Sequence, residues 1–261
     1  MRRFTIFMFI SVFVCLSSSL YSENIVRIAT LTDYPPYCFN KRNTISTPLE
    51  IIPPGKDSSY LQGLCWDIVR ESYHNQGYTI QLEIVPISRA LHYIENGTVD
   101  VIFPFVVTSE RLTKFNFSRN SIVTNAIVIY LNKNIQLVWK GISTMNGKKV
   151  AVIRKWAYGK VWEGQNGIEK IETDSILQCF KMLDNSWVSG VVGYEDAFDY
   201  MLRQNAISSN YIKTPSIDTV SNYLLGNSKI NDSRKYLDIF DTGNEAIKNN
   251  GILKKIITKW E

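Results

Sequence analysis

Apolar and polar positions follow two different periods along this chain. Residues 78–85 alternate between apolar and polar side chains, which predicts a half-buried strand. Residues 252–260 instead place apolar side chains three or four positions apart, which predicts an amphipathic helix. Predicted strands and predicted helices alternate through most of the sequence. This order predicts crossover units with largely parallel sheets.

The predicted elements cover most of the chain. Predicted strands comprise residues 25–29, 78–85, 101–107, 125–131, 149–153, 168–171, 188–193 and 223–226. Predicted helices comprise residues 63–76, 89–96, 175–183, 195–204, 233–249 and 252–260, and Ser88 is the expected cap of the second. Residues 40–62 are polar and rich in proline, which indicates a long surface loop. Pro104 is expected to interrupt the strand that contains it.

The pattern of the first half recurs in shorter form later in the chain, which predicts two lobes. The chain is expected to cross between the lobes near Tyr130 and near Val220. Lobe 1 would then comprise residues 23–130 and 221–261, and lobe 2 residues 131–220. The expected fold class is α/β. Each lobe would contain a mostly parallel sheet flanked by helices, and two hinge crossings would join the lobes beside a cleft.

The first residues are typical of a secretory signal. Arg2 and Arg3 precede an apolar run over residues 4–16, and three serines follow. We place the cleavage near Ser22, so that residues 1–22 form the signal peptide and the mature protein is periplasmic. The apolar run is shorter than the roughly 20 residues that a membrane span needs, and no second such run follows, so we expect a soluble mature protein.

Composition and charge exclude some classes of function. The chain has 261 residues, of which 45% are hydrophobic and 20% are charged, which is ordinary for a globular protein. The formal charge is +5, and removing Arg2 and Arg3 leaves 5 − 2 = +3. The basic residues are dispersed rather than clustered with aromatics, which favours a solvated surface over a nucleic-acid site.

The sequence carries no signature of an enzyme or of a metal site. Neither a G-x-S-x-G nor an H-E-x-x-H motif occurs. His74 and His92 lie on predicted helices, and neither has metal-ligand spacing to a cysteine or to another histidine. We therefore expect a binding protein without a cofactor or a metal.

Arg111 is the candidate of greatest interest. Thr108 follows a buried strand and can cap a helix, which places Arg111 in the first helical turn. A cation there is disfavoured by the positive end of the helix dipole, whereas a bound anion would be stabilised by both. The alternative is a surface arginine that pairs with Glu110.

Two further cationic positions follow the same rule. Arg89 lies in the first turn of a predicted helix, and Arg154 or Lys155 lies where the strand at 149–153 would turn into another. Since helix amino termini converge beyond the carboxyl ends of parallel strands, the three positions suggest one shared anionic ligand. Guanidinium geometry suits a carboxylate. The alternative for Arg89 and Lys155 is an exposed polar side chain.

Several segments together resemble a known family. These are Asp100 with the strand that follows it, the T-x-E-R of residues 108–111, the F-x-F-S of residues 115–118, the P-P-Y turn at residues 35–37, and Gly63 followed by Asp67. In this order they resemble the bacterial extracellular solute-binding proteins of family 3, the periplasmic amino-acid-binding type. The last predicted helix is similar as well.

The resemblance implies a type 2 periplasmic binding fold over the whole mature chain. It implies that Arg111 binds the carboxylate of a ligand and that Tyr34 stacks on the ligand side chain. It also implies amino-acid transport, with an ABC-type membrane permease as partner. We expect a monomer that captures a small carboxylate-bearing solute.

Aromatic residues could form the walls of the cleft. Tyr34 and Tyr37 flank a stiff proline turn, and Trp156 and Tyr158 would lie in the other lobe. Core packing is the alternative for Trp156 and Tyr158. Phe105 lies on the strand before Arg111, where one face enters the core and the other can meet the cleft.

The sequence departs from the family at the site for the ligand's ammonium group. Amino-acid binders commonly have an aspartate after the late strand of the second lobe, and this chain has Tyr194 there. They also have a glycine and a hydroxyl residue before the arginine, where this chain has Phe105 and Val106. Either Glu195 or Asp33 substitutes, or the ligand is a carboxylate without a free α-amino group.

Three cysteines remain after removal of the signal. Cys38 and Cys65 flank the first strand-to-helix connection, and an exported chain permits a disulfide, so a bridge between them is one hypothesis. Cys179 shares a helical face with apolar residues, which predicts a buried, unreactive thiol.

Two other functions stay open on the sequence. A ligand-sensing module that contacts a membrane receptor would use the same cleft. A periplasmic enzyme such as a dehydratase occurs on the same fold. The identity of the ligand depends on the shape of the cleft, which a sequence does not show.

Overall fold

The protein is described here by a computed structural model. It describes residues 24–31, 33–41, 49–135, 137–154, 156–230 and 232–260. The predicted signal peptide, residues 1–22, lies outside the described residues, as does Lys155. No helix in the described ranges is long and apolar enough to cross a membrane.

Fourteen strands and eight helices make up the described chain. The strands are β1 Ile25–Thr30, β2 Asp33–Tyr34, β3 Cys38–Asn40, β4 Glu50–Ile52, β5 Leu61–Gln62, β6 Thr79–Ile84, β7 Val101–Val106, β8 Phe115–Phe117, β9 Val123–Asn132, β10 Lys149–Ile153, β11 Glu169–Thr173, β12 Gly190–Tyr194, β13 Tyr211–Lys213 and β14 Asp218–Asn227. The helices are α1 Leu64–Asn75, α2 Ile87–Asn96, α3 Ser109–Leu112, α4 Gly159–Glu163, α5 Ile176–Asp184, α6 Glu195–Gln204, α7 Ser233–Asn249 and α8 Ile252–Trp260.

One eleven-stranded sheet runs through the molecule in the order β11-β10-β12-β9-β14-β7-β1-β6-β4, with β8 and β13 attached at its side. Strands β6, β1 and β7 are parallel to one another, and so are β11, β10 and β12. We call these groups, with their helices, the first half and the second half. The inner strands β1, β7, β10 and β12 are mostly buried because helices cover both faces of the sheet, whereas the edge strand β11 is largely polar.

The long strands β9 and β14 join the two halves. They pair antiparallel with each other from Val123 opposite Asn222 to Ile127 opposite Asp218. Beyond this shared ladder, β9 pairs with β12 of the second half and β14 pairs with β7 of the first half. The two halves are therefore connected by a two-stranded ribbon.

A small three-stranded sheet of β2, β3 and β5 lies at the side of the first half that faces the second. Gly63 allows α1 to start directly behind it, because a Cβ atom at that position would lie 2.3 Å from the carbonyl oxygen of Tyr37. Two aromatic rings of the small sheet contact the second half. The Tyr34 ring centroid lies 5.5 Å from that of Trp156, and the Phe39 ring centroid lies 5.8 Å from that of Tyr200.

The C-terminal helices close the first half around one buried carboxylate. Asp67 of α1 accepts hydrogen bonds from Lys259 Nζ at 2.7 Å and from Trp260 Nε1 at 2.9 Å, and Arg70 Nη1 lies 2.9 Å from its other oxygen. Helix α7 packs on α1 at Gly243, where a Cβ atom would clash with the Ser72 carbonyl. The carboxylate thus holds α8 against α1.

The predicted fold class is confirmed: the chain is α/β, with parallel strands at the centre of each half and helices on both faces. The bounds predicted for α6, α7 and α8 match the structure. Three predictions are corrected. Residues 40–62 contain two strands, of which β4 pairs with the edge of β6. Helix α2 starts after Pro86 rather than after Ser88.

The third correction concerns Pro104, which does not end its strand. β7 runs through it to Val106, and the ladder with β14 shifts register between Tyr223 and Leu225. Because proline has no N–H to donate, a local irregularity opposite it lets the strand continue.

Candidate ligand-binding site

A cavity of about 450 Å³ lies between the two halves, at the carboxyl ends of β1 and β7. Its lining residues are Leu31, Asp33, Tyr34, Pro86, Ile87, Pro104, Phe105, Val106, Thr108, Arg111, Trp156, Ala157, Tyr194 and Asn222. We call this cavity the cleft. A wider groove of about 830 Å³, beside α7 and α8, contains none of the residues that the sequence singled out.

Arg111 enters the cleft from a short, capped helix. Thr108 Oγ1 accepts the Arg111 backbone N–H at 3.2 Å, as the sequence predicts. The guanidinium donates through Nη1 to the Val106 carbonyl at 2.8 Å and lies 5.1 Å from the centre of the Phe105 ring. A guanidinium has five N–H donors, so most of them stay available to a ligand.

The charge of Arg111 has no counter-ion within the described part of the chain. No described carboxylate lies within 4 Å of its guanidinium, so Arg111 and Glu110 form no ion pair, although the Glu110 charge acts on Arg111 from farther away and offsets part of the effect of burial on its pKa. Burial lowers the pKa of Arg111 below its ordinary value, because the charged form loses part of its hydration. A bound anion would restore the lost stabilisation of this cation.

Aromatic rings form the walls. Tyr34 meets Trp156 edge to face across the cleft, and Trp156 lies 4.9 Å from Tyr194 between ring centroids. The Tyr194 hydroxyl donates to the Ala157 carbonyl at 2.6 Å, which fixes this ring at the end of β12. Burial raises the pKa values of Tyr34 and Tyr194, so both hydroxyls stay protonated. The walls are therefore neutral and flat.

Two of the predicted aromatic wall residues belong to the core instead. Tyr37 is fully buried and packs behind Tyr34, with ring centroids 4.8 Å apart. Tyr158 is buried as well, and its hydroxyl accepts the Ile153 N–H at 2.7 Å. Neither residue is among those that line the cleft, and the structure places both in the core.

Three charged residues that were predicted to bind the ligand lie elsewhere. Arg154 directly follows β10, five residues before α4 begins, and it pairs with Glu172 at 3.3 Å and Asp174 at 3.4 Å. Arg89 is in the first turn of α2, but its side chain is exposed and does not line the cleft. Glu195 is not among the residues that line the cleft, and its carboxylate binds Lys213 on β13.

The cysteines are structural. Cys38 and Cys65 are free, fully buried thiols, so the hypothesised bridge is not formed. Cys179 is buried on α5, as predicted. Burial raises the pKa of Cys38 to about 12 and that of Cys179 to about 11, which keeps these thiols protonated and unreactive.

The structure adds Asn222 to the candidate residues and places Asp33 at the cleft. Asp33 was one of two proposed substitutes for the family's aspartate, and it lines the cleft, although its side chain is exposed. Asn222 was missed because the predicted strand began one residue later. In the described ranges, no group of three or more His, Cys, Asp or Glu side chains is placed to hold a metal ion.

A cleft between two α/β halves that are joined by crossing strands is the architecture of periplasmic binding proteins. The chain belongs to the bacterial extracellular solute-binding proteins, family 3, which matches it over residues 26–261. The family consists of binding proteins, and its name indicates a location outside the cytoplasm. No curated protein sequence matches the chain.

Solved structures share the fold at low sequence identity. The probable amino-acid ABC transporter extracellular-binding protein ytmK from Bacillus subtilis is 19% identical with a TM-score of 0.69, and the match covers 91% of this chain and 97% of that one. A histidine kinase sensor domain with similarity to periplasmic binding proteins is 19% identical, with a TM-score of 0.68 and coverage of 91% and 96%. The ligand-binding core of GluR0 in complex with L-glutamate is 15% identical, with a TM-score of 0.68 and coverage of 92% and 99%.

Proposed function

We propose that this protein is an exported solute-binding protein that captures a small carboxylate-bearing solute in the cleft. The observation that carries the proposal is Arg111, a half-buried cation with free donors and no counter-ion in the described chain. A carboxylate would accept two parallel hydrogen bonds from the guanidinium, and the neutral aromatic walls would enclose an apolar side chain. The proposal assigns binding rather than catalysis.

Capture would proceed by closure of two lobes, comprising residues 23–130 with 221–261 and residues 131–220. Among the described strands, only β9 and β14 cross between these lobes, and they do so as a paired ribbon, which supports a hinge at this place. The contact between Tyr34 and Trp156 joins the two sides above the cleft. A ligand that touches both sides would favour the closed state by its differential contacts.

The partner would be a membrane permease of the ABC type, to which a periplasmic monomer delivers the solute. The family and the ytmK neighbour support transport. A sensing role beside a membrane receptor is the second candidate, because a histidine kinase sensor domain shares the fold. The predicted signal peptide supports export in both cases.

The proposal is tested by a thermal-shift screen of the mature protein against amino acids and simple carboxylates, followed by calorimetric titration of the hits. A ligand at 100 times its dissociation constant adds about 2.7 kcal/mol to folding stability, which such a screen detects. We expect Arg111→Ala to weaken binding of every hit by about 100-fold or more, because it removes the partner of a buried charge.

Arg154→Ala is the matched control. It removes the same side chain from the other half, where Glu172 and Asp174 already neutralise it, and we expect unchanged affinity. Equal affinity of Arg111→Ala and the parent for the hits, or an absence of hits, would contradict the proposed function.

A further inference from the structure

The second half has a surface that lies at the end opposite the cleft. The carboxyl ends of its parallel strands β10 and β12 lead to the cleft, where Trp156 and Tyr194 line it. The amino ends of β10 and β12 lie at the other end, together with the carboxyl end of β9, because β9 runs antiparallel to β12. We call this end of the second half, with the loops that leave it, the base.

Large apolar side chains are exposed at the base. Trp187, on the loop from α5 to β12, is 62% exposed, and Val138, on the loop after β9, is 76% exposed. A folded monomer usually covers at least part of a tryptophan ring, because the ring has a large apolar area. These two side chains therefore suggest a surface that another body covers.

The two loops lie beside neighbouring strands. The loop with the tryptophan is joined to β10, because the Ser189 N–H donates to the Lys149 carbonyl at 2.7 Å. The loop with the valine leads to Met145, whose Cε atom would lie 3.1 Å from a Cβ atom at Gly190, the first residue of β12. Since β10 and β12 pair with each other, the exposed apolar side chains belong to one surface.

This surface is strongly basic. The described cations at the base are Lys133, Lys140, Lys148, Lys149, Lys181 and Arg203. The described acids there are Glu169 and Asp184, so the net charge of the base is 6 − 2 = +4. The whole mature chain carries only +3, which leaves 3 − 4 = −1 for the rest. Among these cations, only Lys149 pairs with a described carboxylate, that of Glu169 at 3.7 Å.

The composition of the base favours a lipid surface over a protein partner. Protein interfaces are depleted in lysine. An anionic bilayer surface instead attracts lysines to its phosphates, and a tryptophan ring can lie among the head groups because it is apolar with one polar edge. A second copy of this chain fits poorly, since two surfaces of charge +4 would repel each other.

We infer that the base docks on a bilayer that contains anionic phospholipids. The lysines bind the lipid phosphates, and Trp187 and Val138 lie among the head groups. The cleft is at the other end of the second half, so the docked protein keeps its cleft accessible to solute. The identity of the solute does not enter this inference.

Flotation of the mature protein with lipid vesicles tests the inference. The vesicles contain phosphatidylcholine alone, or phosphatidylcholine with about one third phosphatidylglycerol as the anionic lipid. We expect roughly tenfold stronger binding to the anionic vesicles at about 0.1 M salt and a loss of this binding at about 1 M salt, because salt screens the attraction between lysine and phosphate.

Two variants and a matched control locate the binding surface. Lys148→Gln combined with Lys149→Gln is expected to bind the anionic vesicles roughly tenfold more weakly. The control is Lys254→Gln combined with Lys255→Gln, which removes two exposed cations from α8 of the first half and is expected to bind as the parent does. Trp187→Ser is expected to weaken binding roughly fivefold and to keep the parent's urea midpoint, because its side chain is exposed.

Three results would overturn the inference. The first is equal binding to both kinds of vesicle, or binding to neither. The second is a loss in the Lys254 and Lys255 control as large as that in the Lys148 and Lys149 variant, which would assign binding to net charge rather than to the base. The third is self-association of the mature protein in sedimentation that Trp187→Ser abolishes, which would assign the base to contacts between copies.

Discussion

Arg111 and Asp67 are two charged side chains of the first half that the fold withdraws from water, and they differ in their partners. Asp67 is 3% exposed and is surrounded by Arg70, Lys259 and the Trp260 N–H. Arg111 has a backbone carbonyl and a ring beside it, and no carboxylate in the described chain within 4 Å.

The difference separates a structural charge from a functional one. A buried ion with all of its partners present holds elements together, and here it ties α8 to α1. A half-buried ion that lacks a counter-ion is a cost to the folded state, which a ligand can remove. Residue type does not make this distinction, because Arg154 is also an arginine that follows a strand, and Glu172 and Asp174 neutralise it.

The largest effect on stability is expected from removing the Asp67 carboxylate. Asp67→Ala leaves Arg70 and Lys259 without their shared carboxylate and frees α8, so we expect the free energy of unfolding to fall by roughly 3 kcal/mol. Urea denaturation measures this loss. Ligand affinity of the remaining folded protein is expected to stay unchanged, because Asp67 does not line the cleft.

Glu172→Gln is the matched control for Asp67→Ala. It also removes a carboxylate that forms an ion pair. In this pair, however, the side chains of Glu172 and Arg154 are both about half exposed. We expect a change in unfolding free energy within about 0.5 kcal/mol. A loss as large as that of Asp67→Ala would mean that burial does not distinguish the two pairs.

Arg111→Met is expected to change the free energy of unfolding in the opposite direction from Asp67→Ala. The variant keeps much of the apolar stem and removes the unpaired charge, so the unliganded protein is expected to gain up to about 1 kcal/mol or to stay unchanged. Paired denaturation curves with and without ligand measure both effects. In the parent the ligand adds stability, and in the variant it adds none. A loss of more than about 2 kcal/mol without ligand would assign Arg111 a structural role.

The sequence predicted local features well. The bounds of α6, α7 and α8 followed from helical periodicity, and the Thr108 cap of the Arg111 helix followed from its hydroxyl. Helix periods and caps depend on neighbours along the chain, which a single sequence shows directly.

The missed features depend on contacts that are distant in sequence. Arg154 was interpreted as a ligand residue because its partners, Glu172 and Asp174, come from the next strand and loop. The strand β4 was missed because three residues in a proline-rich stretch form a strand only beside the edge of β6. Asn222 became a candidate only when β14 placed it beside Val106.

The pH dependence of unfolding tests how far the Asp67 network extends. Arg70 also pairs with Asp57, whose carboxylate accepts from Trp66 Nε1 at 2.8 Å. Burial acts to raise the pKa of Asp57, but the hydrogen bonds from Trp66 and Lys41 outweigh it, so the pKa lies below the ordinary 3.8.

A lowered folded pKa stabilises the protein fully above the unfolded pKa, and this stabilisation is lost as the pH falls through the folded value. We therefore expect the parent to lose stability below pH 4 more steeply than Asp57→Asn does. The difference should be smaller than the effect of Asp67→Ala, because the Asp57 side chain is 45% exposed. Urea denaturation of both proteins between pH 7 and pH 3 measures it. Parallel stability curves would restrict the network to Asp67 and its direct partners.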